Sequence, residues 1–285
     1  MNAKCDVEKM QMLHGGIPVK DVHLITGVYR KFEEDWEDEV GDNGNEFWDV
    51  AFMECPPPNY LVPSTEDLAS EEFDDGDLIV KRIFLGGREI KFNCFLGDGV
   101  LNNVGLESWD AGYVLLGVLM DGEYDEGIKA RKVLELGAGC GFVSKGLEYL
   151  DFKNLTASDF DDGVIKLLKK NVETTEVKKI DWFKTETYNC DDKYDLIIGS
   201  AVVYSPEHKV LTNVIDSLLQ EGGSALIINM RRPGWDEFVL SLEDTFGAEN
   251  ITVQLVTDEQ VKAGEKIKRE EIQGTFNICR IIKKK

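Results

Sequence analysis

The sequence predicts an α/β fold: a parallel sheet covered on both faces by helices, preceded by a β-hairpin and an acidic N-terminal extension. Three observations carry that prediction. From Lys132 onward, strand-like apolar runs alternate with helical patterns, which is how crossover units and a parallel sheet read in a sequence. Within that region the strand Val133–Leu136 turns directly into a helix through Gly137, Gly139 and Gly141, the place where such sheets meet their ligands. Finally, residues 31–75 hold sixteen Asp or Glu against Lys31 alone, which is −15 of a formal net charge of −22. The chain therefore divides into an extension over residues 1–77, expected to be partly disordered, and a folded domain over residues 78–285.

Each element has its own reason. Residues 1–30 offer short strand-like pieces, with "KDVHLITGVY" the best of them. The acidic stretch that follows is too poor in periodic apolar residues to build a core, although Trp36, Phe47, Trp48 and Phe52 would give it something to bury on docking. Two alternating runs, Ile79 to Leu85 and Glu89 to Phe95, flank Gly86-Gly87, a pair that tolerates the positive φ of a tight hairpin turn. Trp109, Tyr113, Leu116 and Met120 recur at helical spacing and predict an amphipathic helix ahead of the main sheet. Then come strand "KVLELG", a helix from Phe142 to Leu150, strand "NLTASD", helix "DGVIKLLKKNVE" and a short strand near Lys178 to Trp182. Strand "YDLIIGS", helix "PEHKVLTNVIDSLLQ", strand "GGSALIINM", helix "WDEFVLSLEDTFG" and strands "NITVQLVT" and "TFNICRII" complete the pattern.

Composition excludes several classes of function. No apolar run approaches the roughly 18 residues of a spanning helix, and residues 1–20 lack the plan of a signal peptide, so a soluble cytoplasmic protein, also present in the nucleus, is expected. The six cysteines form no close pair and have no histidine at ligand spacing, which predicts free thiols and no metal. The negative charge argues against direct contact with nucleic acid or anionic membrane and favours a basic protein partner. A monomer is expected.

The chemistry concentrates in "VLELGAGCG", residues 133–141. Glycine is needed where a backbone must approach a ligand without a Cβ in the way. The third glycine comes one position too early for the dinucleotide spacing, and Phe142 stands in its place. The next strand ends at Asp159, 18 positions past Gly141, a distance suited to a carboxylate that grips both ribose hydroxyls. Asp161 and Asp162 follow at once and also suit the N-terminus of a helix.

Together, "VLELGAGCGF", "SDFDDGVIKLLKKNVE" and "YDLIIGSAVVYSPE" resemble the S-adenosylmethionine-dependent methyltransferases of the seven-stranded class. "GLESWDAGYVLL" and the "DWF" of Asp181 to Phe183 narrow the resemblance to methyltransferase family 16, mostly protein lysine methyltransferases with a few histidine or arginine enzymes. It spans roughly residues 78 to 282 and rests on five motifs in the right order. The resemblance implies a Rossmann-like seven-stranded sheet, mostly parallel with an antiparallel last strand, and S-adenosylmethionine as cofactor. It implies cofactor contacts at Trp109, Glu135, Gly137, Ala138, Gly139, Asp159, Trp182 and Ser200. "KDVHLIT" and "DDGDLIVKR" are also similar to the N-terminal region of a branch that modifies a nucleic-acid-associated nuclear protein.

In that family the fourth strand of the domain ends in an acid, two apolar residues and an aromatic at the methyl-transfer site. Here the positions are Ala201, Val202, Val203 and Tyr204, so the tyrosine is present and the acid is missing. Tyr204 is the candidate catalytic residue, and Glu207 in the next turn is the candidate substitute for the acid. An acid there would help bind an ammonium, not deprotonate it, and a lysine at pH 7 needs about 4.6 kcal/mol to become neutral. A histidine acceptor needs almost none, so Ala201 keeps that alternative open; the chain also resembles the family's histidine-modifying members in its proline two positions after the tyrosine, Pro206. His208 is expected on the first turn of a surface helix, and Arg231 and Arg232 are expected to pair with nearby carboxylates. The leading expectation is transfer of methyl to a lysine of a non-histone protein. Histidine or arginine transfer, a small-molecule substrate and a silent cofactor-binding interaction protein are the alternatives.

Overall fold

A computed structural model describes residues 78–95, 104–120, 126–204, 208–232 and 234–284. The acidic segment, the strand expected within residues 20–29, Pro206 and Glu207 lie outside the described residues.

The hairpin forms where the glycine pair requires it. Strands β1 (Leu78–Leu85) and β2 (Arg88–Phe95) pair antiparallel, with Leu85 opposite Arg88. Gly86 and Gly87 both take positive φ, 55° and 80°, the backbone twist that matches a two-residue turn. Alternation then places Ile83, Leu85, Ile90, Phe92 and Cys94 on the buried face.

Helix α1 (Asp110–Met120) follows, and it corrects the amphipathic expectation. Every residue from Ala111 to Leu119 is buried, while Met120, expected on the apolar stripe, is exposed. A helix apolar all round belongs inside, and this one is enclosed by the next helix, a late helix and central strands of the main sheet.

The main sheet is built from β3 (Lys132–Leu136), β4 (Asn154–Asp159), β5 (Glu176–Lys179), β6 (Tyr194–Ser200), β7 (Leu219–Met230), β8 (Ile251–Leu255) and β9 (Phe276–Ile282). Their spatial order is β5-β4-β3-β6-β7-β9-β8. All pairs are parallel except those of β9, which runs antiparallel to both β7 and β8. The chain winds outward from β3 in one direction and from β6 in the other, so the order reverses between them. The carboxyl ends of β3 and β6 thus flank the crevice where such sheets bind ligands.

Helices α2 (Phe142–Tyr149), α3 (Asp162–Asn171), α4 (His208–Leu218) and α5 (Trp235–Phe246) connect the strands as expected. One core joins the hairpin, α1 and α2 to Val133, Leu196, Ile198, Leu226, Ile228 and Ile278 of the sheet. A second core, on the opposite face, joins α4 and α5 to Leu134, Leu136, Ile197, Ile227 and Ile281.

Three differences from expectation have physical causes. Helix α6 (Asp258–Lys268) was not anticipated, because its pattern is strongly polar. Its start was nevertheless signalled: Thr257 and Gln260 form a capping box, each side chain accepting from the other's backbone N–H. Strand β5 ends at Lys179, which leaves Trp182 in the following turn, where the Asp181 carboxylate accepts from Phe183 N at 3.0 Å. Strand β7 begins three residues before the expected Gly222, next to an irregularity in the β6–β7 register between Tyr194 and Leu196.

Candidate functional site

The glycine turn takes its shape from backbone that only glycine adopts easily. Gly137, Gly139 and Gly141 have φ of 61°, 55° and 80°, and Gly141 caps α2. Neighbours also leave no room for side chains. A Cβ on Gly137 would lie 2.9 Å from Val202 Cγ1 and 3.5 Å from Trp182 Cζ2, and one on Gly139 would lie 2.9 Å from Gly105 O. Ala138 N donates to Ser158 O at 2.8 Å, which ties the turn to β4. Asn171 at the end of α3 donates to Cys140 O at 2.6 Å and to Asn93 O at 2.7 Å, so one side chain binds the turn to the hairpin.

Asp159 closes β4 beside this turn. Its Oδ2 accepts from Gly139 N at 3.1 Å and its Oδ1 from Phe160 N at 2.8 Å. Burial pushes the carboxyl up to about 6, against the pull of these backbone donors. The two neighbouring acids are engaged elsewhere: Asp161 caps α3 by accepting from Val164 N at 2.9 Å, and Asp162 pairs with Lys179 at 2.7 Å. Glu135 lies beneath the turn, 3% exposed, with Ser144 Oγ donating to it from α2. Burial raises it to about 7, with the Asp159 charge acting in the same direction.

The two tryptophans differ in how they are used. Trp182 is half-buried with its ring against Gly137. Trp109, also half-buried, spends its indole N–H on Val104 O at 2.9 Å, holding the short 3₁₀ turn Val104–Leu106 whose Gly105 carbonyl lies over Gly139. Trp109 thereby supports the turn that borders the glycines.

Ser200 ends β6, half-buried and opposite Ile228. The chain then reverses through Ala201, which has a φ of 57° and donates its N–H to Ile228 O at 2.9 Å. Val202 turns inward, close to both Gly137 and Gly199. Val203 is held by Asn229 of β7, whose Oδ1 accepts from Val203 N at 3.0 Å and whose Nδ2 donates to Val203 O at 3.1 Å. Tyr204 follows. The residue as a whole is 51% exposed; desolvation, joined by the Asp159 charge, pushes its phenol up to about 12. Thus Gly137, Ala138, Gly139, Asp159, Trp182, Ser200 and Tyr204, far apart in sequence, gather at the carboxyl ends of β3, β4, β5 and β6. Val202 was read only as an apolar spacer of the strand-end motif, and Asn229 was not singled out by sequence, since a strand asparagine carries no pattern of its own.

His208 departs from its expected surface position. It is 8% exposed and packs on Gly234, whose Cβ would fall 2.2 Å from its Cε1; burial lowers its pKa, partly opposed by Glu237. Arg231 behaves as expected and pairs with Asp236 at 3.4 Å.

This sheet order, with its reversed β9 and glycine turn, defines the class: an S-adenosylmethionine-dependent methyltransferase with the seven-stranded fold. In keeping with it, a solved structure of the T. Thermophilus 16S rRNA N2 G1207 methyltransferase RsmC, in complex with AdoMet and guanosine, superposes with a TM-score of 0.53 at 19% identity. That match covers 73% of this chain and 51% of the other, and it speaks to the fold alone. More narrowly, the chain belongs to the lysine methyltransferase family, whose profile matches residues 95–244. The protein N-lysine methyltransferase METTL21A of Danio rerio is 28% identical over 155 residues, which is 50% of this chain and 69% of that one.

Proposed function

We propose that the chain transfers a methyl group from S-adenosylmethionine to a lysine side chain of a basic, non-histone protein in the cytoplasm or nucleus. The observation that carries this reading is the convergence at neighbouring strand ends of the glycine turn, of Asp159 with its carboxylate accepting from Gly139 N, and of the segment from Ala201 to Tyr204, whose Val202 lies against Gly137. Membership of the lysine methyltransferase family and the similarity to METTL21A support lysine as the acceptor.

The residues present fit the cofactor. The side-chain-free turn of Gly137, Ala138 and Gly139 allows backbone approach, Asp159 suits paired ribose hydroxyls, and the flat face of Trp182 suits an adenine. Glu135 sets negative charge beneath the turn, and Trp109 and Ser200 border it. When bound, the cofactor supplies an electrophilic methyl group on a sulfonium. The protein's own task is alignment and exclusion of water, because in-line displacement needs the nucleophile held close and on axis. Tyr204 is assigned to line the acceptor channel, and Glu207 to attract the incoming ammonium in place of the acid absent at Ala201. Neither residue removes the lysine proton, so the acceptor must lose it to solvent on entry.

Ala201 favours one second reading, a histidine acceptor, whose neutral form is abundant at pH 7 and needs no ammonium-binding acid. The test is transfer of tritiated methyl from S-adenosylmethionine into a lysate of cells lacking the protein, followed by amino-acid analysis of the labelled product. Methyllysine supports the proposal, methylhistidine replaces it with the second reading, and cofactor binding without any transfer would leave an interaction protein.

A further inference from the structure

We propose that Asn229 is a positioning residue for methyl transfer, acting through Tyr204; the inference rests on the reading of Tyr204 as part of the transfer site. The argument starts from where ordinary strand pairing stops. The β6–β7 ladder ends with Ser200 opposite Ile228. Beyond it Ala201 turns left-handed, and the chain that carries Tyr204 would leave the sheet with its peptide groups unpaired. The Asn229 amide supplies one more rung. A primary amide has the same donor and acceptor as a peptide group, and this one accepts from Val203 N at 3.0 Å while donating to Val203 O at 3.1 Å. Its second hydrogen goes to Met230 O at 2.8 Å, which fixes the rotation of the amide plane.

With Asn229 only 1% exposed, water does not compete for these bonds. Both peptide groups adjoining Val203 are therefore oriented by one side chain, and Tyr204 departs from the second of them. A strand asparagine thus sets the direction of a tyrosine 25 residues earlier in the chain. The cofactor-side residues Gly137, Asp159 and Trp182 make no hydrogen bond with Asn229, so its loss should affect the transfer step and spare cofactor affinity.

The test uses the full chain and its Asn229→Ala, Asn229→Asp, Tyr204→Ala and Asn229→Ala/Tyr204→Ala variants, with tritiated S-adenosylmethionine and lysate protein as acceptor. Asn229→Ala should lower the rate at saturating cofactor by roughly 10- to 100-fold with the cofactor KM within about twofold, because misplacement by an ångström costs on that order. The double variant should be no slower than the slower single variant. Asn229→Asp keeps the size and the acceptor, and regains a donor only when protonated, so its rate relative to the native protein should rise as the pH falls from about 8 to about 6.

An arm independent of activity reads the same coupling. The rate of O-acetylation of Tyr204 by N-acetylimidazole, mapped by mass spectrometry, should differ by about fivefold or more between the native protein and Asn229→Ala, the change expected for freeing a turn held by such bonds. An unchanged rate, a cofactor KM that rises in step with the loss of rate, or multiplicative effects in the double variant would each overturn the proposal. If Tyr204→Ala transfers at full rate, the transfer-site reading itself falls and this proposal with it. Acetylation unaltered in both Asn229 variants would overturn the coupling even where the rate drops.

Discussion

Asn229 and Asn277 stand directly opposite each other on β7 and β9, yet their amides have opposite fates. Asn229 has donors and acceptor satisfied by Val203 and Met230, whereas Nδ2 of Asn277, in a residue 6% exposed, has no hydrogen-bond partner among the described residues. Residues opposite each other in an antiparallel pair share a face, so the two side chains meet one environment with different results.

Removing the unpaired amide should therefore cost little. Asn277→Val is expected to leave the unfolding free energy from urea denaturation unchanged or to raise it by up to about 1 kcal/mol, since a buried donor without a partner is itself a penalty. A loss beyond about 2 kcal/mol would mean that the amide is satisfied in solution.

Helices α1 and α6 approach until backbone touches backbone. A Cβ on Gly117 would lie 2.8 Å from Gly264 N, and one on Gly264 would lie 3.0 Å from Tyr113 O. Alanine favours helix by about 1 kcal/mol over glycine, yet overpacking costs about 1–3 kcal/mol, and here the obstacle is main chain that cannot swing aside. Gly117→Ala should lower the melting temperature, and an increase would show that the helices can separate freely.

Ala201 holds a left-handed φ of 57° that an alanine adopts only at a cost. Ala201→Gly should be neutral or stabilising by up to about 1 kcal/mol, while Ala201→Val should lose about 1–3 kcal/mol in chemical denaturation. The reverse order would indicate that the turn relaxes to an extended form.

Gly137→Ala places a methyl group against Val202 and Trp182 and fills the space that backbone approach requires. Calorimetric titration with S-adenosylhomocysteine should show affinity weakened by at least about tenfold, roughly 1.4 kcal/mol. Native affinity in this variant would remove the turn from the cofactor site.

Two buried carboxyls predict a pH response with a definite sign. Asp159 is raised from 3.8 to about 6 and Glu135 from 4.5 to about 7, in both cases first by burial. The folded chain without cofactor therefore holds protons that the unfolded chain has already released. Its stability from these groups is complete below about pH 4, declines as pH rises through about 4 to 7, and is level above that. A cationic cofactor prefers the deprotonated pair, so its dissociation constant should fall as pH rises from about 5 to about 8. Asp159→Asn should weaken binding and flatten that profile; an unflattened profile would assign the pH response to other groups.

The site was legible where chemistry demands a residue type at a fixed place on a strand. The glycine turn and Asp159 stand out from local pattern, whereas Trp182 and Tyr204 were legible only through the family resemblance; the structure gathers all four candidates at neighbouring strand ends. Trp109 was legible as a motif, but its hydrogen bond to Val104 was not. The polar surface of α6 hid a helix that its capping box announced.

By itself the sequence determined the hairpin, the alternation of strands and helices and the glycine turn, because period, turn chemistry and left-handed glycines are local properties of the chain. Tertiary structure alone decided that α1 is enclosed on every side, that His208 packs on Gly234, that Val202 lies against Gly137 and that Asn229 holds Val203. Those relationships depend on which strands become neighbours. Strand order is set by the burial of both sheet faces at once, a property of the whole core that no window of sequence contains.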